Sequence, residues 1–188
     1  MRTEDLFAPP PDLPVPVDDG ACDHLVGLEM PAISLKATTG FDVRLDEVKS
    51  PFTVVYGYPR TGVPGQDLPP GWNEIPGARG CTPQNCAFRD HHAELQALGA
   101  TVYGLSTQTT AYQQEMAERL HLPFPVLSDS KLELAKALKL PTFEAGGETL
   151  LKRFSMILRG KRIEHVIYPV FPSDSDAPAV IEWLSAHQ

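Results

Sequence analysis

The sequence is poor in positive charge: its 188 residues include 16 lysines and arginines against 24 aspartates and glutamates, for a net charge of −8. Such a balance argues against nucleic acid and anionic membrane surfaces as partners. The sequence also lacks an apolar run of about 18 residues, so we expect no membrane-spanning helix. Its first residues contain no apolar signal core, and we therefore expect a cytoplasmic protein.

Cysteine is also scarce, with three residues at positions 22, 81 and 86. Cytoplasmic proteins seldom use cysteine for a structural disulfide framework, so these few cysteines indicate catalysis or metal binding. Cys22 has no informative spacing to the other two, and we expect it to be a free thiol without a role. No internal repeat is apparent in the chain.

The length and the 42% hydrophobic content are sufficient for one domain with a full core. Residues 1–24 contain five prolines and several aspartates, which predicts an extended N-terminal arm that is packed on the body or disordered. Residues 25–188 are predicted to form the domain. Strands alternate with helices and are followed by a hairpin and a last helix, a pattern typical of an α/β three-layer sandwich with a mixed sheet.

The most informative stretch is a strand, a loop and a cysteine at the start of a helix. Residues 52–58 are apolar, β-branched and aromatic, as in a buried strand, and residues 59–80 form a long proline-rich loop. Cys81 then stands where a helix begins, with Pro83 in its first turn and Arg79 adding positive charge nearby. Unpaired N–H groups and the helix dipole stabilise a thiolate at such a position.

A second cysteine near the same helix start favours redox chemistry over the more common alternative, a buried structural cysteine. Residues i and i+5 of an ideal helix have Cα atoms roughly 8–9 Å apart, whereas a disulfide needs them within about 7 Å. Cys81 and Cys86 therefore cannot bond while the turn is helical. We predict a wound reduced form and an oxidised form in which the first turn unwinds.

These residues resemble the Q-type peroxiredoxins, also called bacterioferritin comigratory proteins. The resemblance covers the chain from about Leu25 to the C-terminus, and its most specific part is the element Cys-x4-Cys-x2-Arg-Asp. The matching segments are Tyr58-Pro59, Gly80-Cys81-Thr82, Cys86, Phe88-Arg89-Asp90, and residues 102–106, 122–129 and 152–157.

The resemblance implies a thioredoxin-like fold and a thiol-dependent peroxidase that reduces hydrogen peroxide and organic hydroperoxides. Cys81 would be the peroxidatic cysteine, which becomes a sulfenic acid, and Cys86 the resolving cysteine, which then forms the disulfide with it. Arg153 would stabilise the thiolate and the peroxide. Thioredoxin or a similar dithiol would recycle a monomeric enzyme, and no metal or organic cofactor would be needed.

One departure from the family pattern concerns the residues before Cys81. The family usually has a proline and then a threonine three residues before the peroxidatic cysteine, but here that position is Ala78 and Pro59 lies 22 residues before it. An inserted loop, 62–77, splits the motif. We predict that Thr61 folds back into the place of the threonine.

Trp72, within the loop, is expected to cover the Cys81 pocket or to dock the reductant, with surface packing against the helix as the alternative.

Other readings stay open at this point. A general disulfide oxidoreductase would use Cys-x2-Cys, and a copper-delivery protein would combine the two cysteines with a distant histidine, for which His165 is available. Cys22 could be a second resolving cysteine. His91 and His92 are expected to be partly exposed helix residues rather than metal ligands.

The patterning also predicts the bounds of the remaining elements. We expect a hairpin around Thr39-Gly40, a helix over 81–98 that ends at Gly99, and a turn over 143–149. Further helices are predicted over 109–120 and 131–140 and after the capping segment 173–176, and further strands over 101–105, 124–127, 151–158 and 162–168.

Overall fold

A computed structural model of the protein describes residues 4–188 and contains nine strands and six helices within them. The strands are β1 Ser34–Ala37, β2 Asp42–Arg44, β3 Phe52–Gly57, β4 Ala100–Ser106, β5 Val126–Ser128, β6 Thr142–Ala145, β7 Glu148–Leu151, β8 Phe154–Arg159 and β9 Arg162–Ile167. The helices are α1 Glu4–Phe7, α2 Cys81–Asp90, α3 His92–Ala97, α4 Thr110–Leu120, α5 Glu133–Leu138 and α6 Asp176–Ala186.

Seven of the strands form one mixed sheet in the order β2-β1-β5-β4-β3-β8-β9. The three strands β3, β4 and β5 are parallel to one another, whereas β8 and β9 on one side and β1 and β2 on the other are antiparallel to their neighbours. The first hairpin, β1–β2, forms around Thr39-Gly40 as predicted. The mixed sheet confirms the predicted α/β class.

The inner strand β3 is buried along its whole length, because both faces of the sheet are covered. Successive residues of β3 point to opposite faces. Tyr56 packs on one side with Phe88 of α2 and Leu184 of α6, whereas Val55 packs on the other with Leu134 of α5 and Leu25. Two cores on either side of one sheet make the three-layer sandwich that the sequence predicts.

The predicted helix over 81–98 is two helices, which is a correction. His91 has φ −95° and ψ 6°, outside the helical range, so α2 ends before it and α3 begins after it. The break falls in a run of aspartate and histidine residues, which have low helix propensity. The predicted helix over 131–140 is also shorter, and the Asp129 carboxylate caps α5 by accepting hydrogen bonds from the N–H groups of Leu134 and Ala135 at 3.1 and 2.7 Å.

The region 143–151 differs most from the prediction. Instead of a turn followed by one strand, it contains the hairpin β6–β7, whose turn is Gly146-Gly147, and the chain then enters the main sheet as β8. The predicted strand over 151–158 is therefore interrupted at Lys152-Arg153. This interruption is what places Arg153 between the two sheets.

The N-terminal segment lies against the body. Val15, Pro16 and Val17 line a cavity of about 330 Å³ together with residues 75–77 and Tyr168. Cys22 is buried in the core. The division into an arm, 1–24, and a domain, 25–188, stays a prediction. Within residues 4–188, no helix combines the length and the apolar character that crossing a lipid bilayer would require.

Candidate active site

Helix α2 begins at Cys81, as the sequence predicts, and Gly80 precedes it in a left-handed conformation with φ 98° and ψ 17°. This backbone conformation favours glycine. A Cβ atom at position 80 would also come within 2.8 Å of Cβ of Ser173. Glycine is therefore required here both for the turn into α2 and for the close approach of the segment before α6.

Cys81 lies almost out of contact with solvent, with 4% of its surface exposed, and a guanidinium lies beside its sulfur. Nη2 of Arg153 donates a hydrogen bond to Cys81 Sγ at 3.4 Å. In this arrangement the thiol itself donates to the Ala78 carbonyl at 3.6 Å. The structure therefore brings together the two residues that the sequence predicts as the reacting thiol and its stabilising arginine.

Arg153 is itself buried and is held by the loop before α2. Its Nη2 donates to the carbonyls of Gly77 and Arg79 at 3.1 and 3.0 Å. It also lies 3.4 Å from the Ala78 carbonyl. The backbone of the end of the inserted loop thus wraps around one nitrogen of the guanidinium, and that nitrogen is the one that faces the sulfur.

Gln84, one helical turn after Cys81, binds the other end of the guanidinium. Its Oε1 accepts a hydrogen bond from Arg153 Nη1. Its Nε2 donates to Asp176 Oδ2 at 2.5 Å and lies 3.5 Å from the Gly57 carbonyl. The side chain of Gln84 is fully buried, so these bonds take the place of water.

Asp176, the first residue of α6, is buried and also accepts a hydrogen bond from Ser155 Oγ at 2.9 Å. Burial, only partly offset by the bonds from Gln84 and Ser155, raises the pKa of Asp176 to about 6. The sequence analysis assigned this residue only to a helix cap.

A second set of bonds fixes the first turn of α2. Asn85 Nδ2 donates to the Cys81 carbonyl at 2.7 Å, and the Tyr56 hydroxyl donates to Asn85 Oδ1 at 2.6 Å. The ring of Tyr56 stacks on Phe88 with centroids 4.1 Å apart. Strand β3 therefore holds the turn that contains the thiol in its helical form.

Cys86 lies in the same helix as Cys81, is partly exposed, and like Cys81 is a free thiol. Burial raises its pKa. Since α2 runs without interruption from Cys81 to Asp90, the two Cα atoms are separated by the helical spacing of roughly 8–9 Å. In this form with free thiols, the two cysteines are therefore too far apart to form a disulfide, as the predicted unwinding assumes.

Thr61 is buried, but its hydrogen bonds are made away from the sulfur. Its N–H donates to Gln108 Oε1 at 3.2 Å, and its carbonyl accepts from the Tyr112 hydroxyl at 2.8 Å. Its hydroxyl lies 3.5 Å from Gln108 Oε1. That Thr61 takes the place of the family threonine stays a prediction.

A small cavity of about 20 Å³ leads to Cys81 and is lined by Leu6 of α1, Trp72 and Arg79, among others. Trp72 is buried against Ala78 and Leu150, with its ring 6.1 Å from that of Phe143. The indole therefore covers the pocket, which was one of the two expected roles, and it packs on the β6–β7 hairpin.

The remaining candidates lie outside this cluster. Burial, together with the carboxylates of Asp19, Asp18 and Asp23, raises the pKa of Cys22 to about 12. His165 stacks on Trp183 of α6 with centroids 5.2 Å apart. Within residues 4–188, no group of three histidine, cysteine, aspartate or glutamate side chains is placed to hold a metal ion.

The sequence analysis missed the residues that support the site. Gln84 and Asn85 carry a local signal, because positions i+3 and i+4 lie on the same helix face as Cys81. Tyr56 and Asp176 carry none, since they are 29 and 92 positions from their partners in α2.

Comparison with known proteins gives one consistent family. The Redoxin family model matches residues 25–181. The chain is 31% identical over 156 residues to peroxiredoxin bcp1 of Schizosaccharomyces pombe, an alignment that covers 81% of this chain and 71% of that protein.

Solved structures agree with the fold. Peroxidoxin BcpB from Mycobacterium tuberculosis superposes with a TM-score of 0.69 at 24% identity, covering 87% of this chain and 97% of that one. A structure of a bacterioferritin comigratory protein from Xanthomonas campestris gives a TM-score of 0.63 at 19% identity, covering 94% of this chain and 99% of that one. That structure concerns the alkyl peroxide reduction activity of the Xanthomonas protein.

The hydrogen bond from Tyr56 to Asn85 yields a stability prediction. Tyr56→Phe removes the donor and leaves Asn85 Oδ1 buried without it, so we expect a loss of about 1–3 kcal/mol in the free energy of unfolding. Denaturant unfolding of the reduced protein measures this. Tyr103→Phe is the control, because that hydroxyl lies outside the network; equal stability of both variants would contradict the role of Tyr56.

Proposed function

The chain belongs to the Redoxin family and, within it, to the peroxiredoxins of the Q or Bcp type, and on this premise we propose that Cys81 is its peroxidatic cysteine. As a peroxiredoxin, the protein is an enzyme that reduces peroxides with a cysteine thiol and is recycled by thiol reductants. The observation that carries the assignment is the 3.4 Å contact between Arg153 Nη2 and the sulfur at the start of α2.

In the proposed reaction, the Cys81 thiolate attacks one oxygen of the peroxide. A sulfur–oxygen bond forms as the oxygen–oxygen bond breaks, and the second oxygen leaves as water or an alcohol after it takes up a proton. Cys81 becomes a sulfenic acid. Negative charge moves from sulfur to the leaving oxygen in this step, and the N–H groups of Arg153 are fixed where they stabilise that charge.

Resolution is proposed to follow through Cys86. Its thiolate attacks the sulfenic sulfur of Cys81, the sulfur–oxygen bond breaks as the disulfide forms, and the hydroxide leaves as water after it takes up a proton. The helical spacing of the two cysteines requires the first turn of α2 to unwind for this step. A dithiol protein such as thioredoxin then reduces the disulfide by exchange. Since both cysteines belong to one chain, we propose that the protein acts as a monomer.

The cavity at Cys81 supports a small peroxide such as hydrogen peroxide as the substrate. Its volume of about 20 Å³ is little more than the roughly 10–15 Å³ that one water molecule needs. The side chains of Leu6 and Trp72 in its lining would limit the entry of bulkier organic hydroperoxides. Thr61 stays a proposed hydroxyl at this site, and the position of the adjacent Gly62 in the cavity lining supports it.

The compartment is also a proposal. Three cysteines in 188 residues are too few for a structural disulfide framework, which supports a reducing compartment such as the cytoplasm. Fractionation of cells with an antibody to the protein would test this assignment.

The cysteine roles predict distinct products. With one equivalent of hydrogen peroxide, we expect wild type to yield a Cys81–Cys86 disulfide and Cys86→Ser to stop at a sulfenic acid on Cys81. Cys81→Ser should consume no peroxide. Mass spectrometry of dimedone-treated protein distinguishes these products. Full thioredoxin-driven turnover by Cys86→Ser would transfer the resolving role to Cys22 or to an external thiol.

The arginine role predicts a rate. Arg153→Met removes the charge and the N–H donors from the sulfur, so we expect oxidation of Cys81 to slow by roughly 10²–10³-fold. Stopped-flow fluorescence with hydrogen peroxide measures the rate constant, and circular dichroism checks the fold. Arg162→Met, at an exposed arginine of β9, is the matched control. A wild-type rate in Arg153→Met would remove Arg153 from the site.

The cavity lining predicts substrate selectivity. Leu6→Ala should enlarge the pocket, so we expect the rate with cumene hydroperoxide to rise at least severalfold relative to the rate with hydrogen peroxide. The same stopped-flow assay with both substrates gives this ratio. Phe7→Ala, at an exposed neighbour in α1, is the control. An unchanged ratio in Leu6→Ala would show that Leu6 does not limit access.

A further inference from the structure

We infer that Asp176 is a positioning residue for the peroxide reaction: its carboxylate fixes the orientation of the Gln84 amide, and Gln84 holds the Arg153 guanidinium against the Cys81 sulfur. The inference rests on the proposed roles of Cys81 and Arg153. It adds a residue from the last helix that touches neither the sulfur nor the space that a peroxide would occupy.

The chemistry of the three side chains allows one arrangement of this relay. A guanidinium has only donors, and an ionised carboxylate has only acceptors. The amide between them must therefore turn its oxygen to Arg153 and its nitrogen to Asp176, which is the arrangement observed. Without the carboxylate, either the oxygen or the NH2 group of the Gln84 amide could point to Arg153. An NH2 group there would place N–H donors against a cation.

The relay joins three elements that meet at the site. Gln84 lies in α2 with Cys81, Arg153 directly precedes β8, and Asp176 begins α6. Ser155, two residues after Arg153, donates to the same carboxylate oxygen as Gln84, at 2.9 Å. The position of Asp176 is therefore fixed by the strand that carries Arg153, and Nη1 of Arg153 is bound so that Nη2 remains directed to the sulfur.

Burying the Asp176 carboxylate costs folding free energy, which a purely structural role does not explain. It is fully buried, and within the described part of the chain its Oδ1 has no hydrogen-bond partner. The groups that face it are Gln84 from α2, Tyr56 from β3, Ser155 from β8, and Arg153, which directly precedes β8. Of these only Arg153 carries a positive charge.

The pKa of Asp176 gives the sign of this cost. Its value of about 6 in the folded protein lies above the ordinary 3.8, so the folded state binds the proton more tightly than the unfolded state. The contribution of Asp176 to stability is therefore greatest below about pH 4 and is lost as the pH rises through 6. A neutral residue would give a more stable protein at pH 7, which favours a functional reason for the carboxylate.

The test compares Asp176→Ala with Asp176→Asn. Alanine removes the acceptor for Gln84, so we expect oxidation of Cys81 by hydrogen peroxide to slow by roughly 10- to 100-fold, the scale of a displaced catalytic group. Asparagine can turn either its oxygen or its NH2 group to Gln84 and so fixes the Gln84 amide less well; we expect a smaller loss of rate, roughly 3- to 10-fold, while its resistance to denaturant at pH 7.5 rises. Asp174→Asn, at an exposed aspartate two residues earlier, should change neither quantity.

A double-variant cycle separates positioning from general support of the fold. Because Asp176 acts through Arg153, adding Asp176→Ala to Arg153→Met should slow oxidation little beyond Arg153→Met alone. Wild-type oxidation by a folded Asp176→Ala protein, or a full multiplicative loss in the double variant, would overturn the inference.

Three further outcomes are distinguishable. If Asp176→Ala does not fold, Asp176→Asn decides: slower oxidation by a protein that resists denaturant better than wild type supports the relay, and a wild-type rate overturns it. If Arg153→Met oxidises at the wild-type rate, the proposed function of Arg153 has failed, and the relay fails with it. A slow Arg153→Met with a wild-type Asp176→Ala leaves the proposed function intact and rejects only the relay.

Discussion

A guanidinium that is almost completely removed from water must find acceptors for its N–H groups, and this requirement organises the site. Arg153 finds them in the Gly77 and Arg79 carbonyls, in Gln84, and in the Cys81 sulfur. The end of the inserted loop and the first turn of α2 are therefore shaped around one side chain. A buried cation left without these partners would be strongly unfavourable.

The same requirement bears on the break between β7 and β8. Arg153 lies at the junction between the β6–β7 hairpin and β8, where the backbone passes from the small sheet to the large one. Trp72 packs on that hairpin and covers the cavity at Cys81. The hairpin thus supports both the arginine and the cover of the pocket, and the loop inserted before α2 becomes part of the active-site wall.

The sequence predicted the elements whose signals are local. The buried strand β3, the start of α2 at Cys81, and the first hairpin follow from apolar patterning, from a cysteine at a helix start, and from Thr39-Gly40. The β6–β7 hairpin was missed because its two strands are four residues each, each strand carries a glutamate, and no residue of β6 is buried. Short, half-exposed strands leave no strong period in the sequence.

The active site was predictable only in part, for a related reason. Cys81 and Cys86 are visible as a spaced pair, and Arg153 follows from the family resemblance. The contact of Gln84 with Asp176, however, joins residues 92 positions apart, and an aspartate at the start of a helix is satisfactorily explained as a cap. Its burial beneath α2 is a consequence of tertiary packing that no local pattern encodes.

The bond from Tyr56 to Asn85, and from Asn85 to the Cys81 carbonyl, also bears on the energetics of the disulfide. If the first turn of α2 unwinds in the proposed disulfide step, these bonds are lost, and a buried hydroxyl or amide without a partner costs about 1–3 kcal/mol. The oxidised form would carry that cost, and reduction would recover it. At about 30 mV per 1.4 kcal/mol for a two-electron couple, the two hydrogen bonds would raise the reduction potential of such a disulfide by roughly 20–60 mV, which would make it easier for a dithiol reductant to reopen.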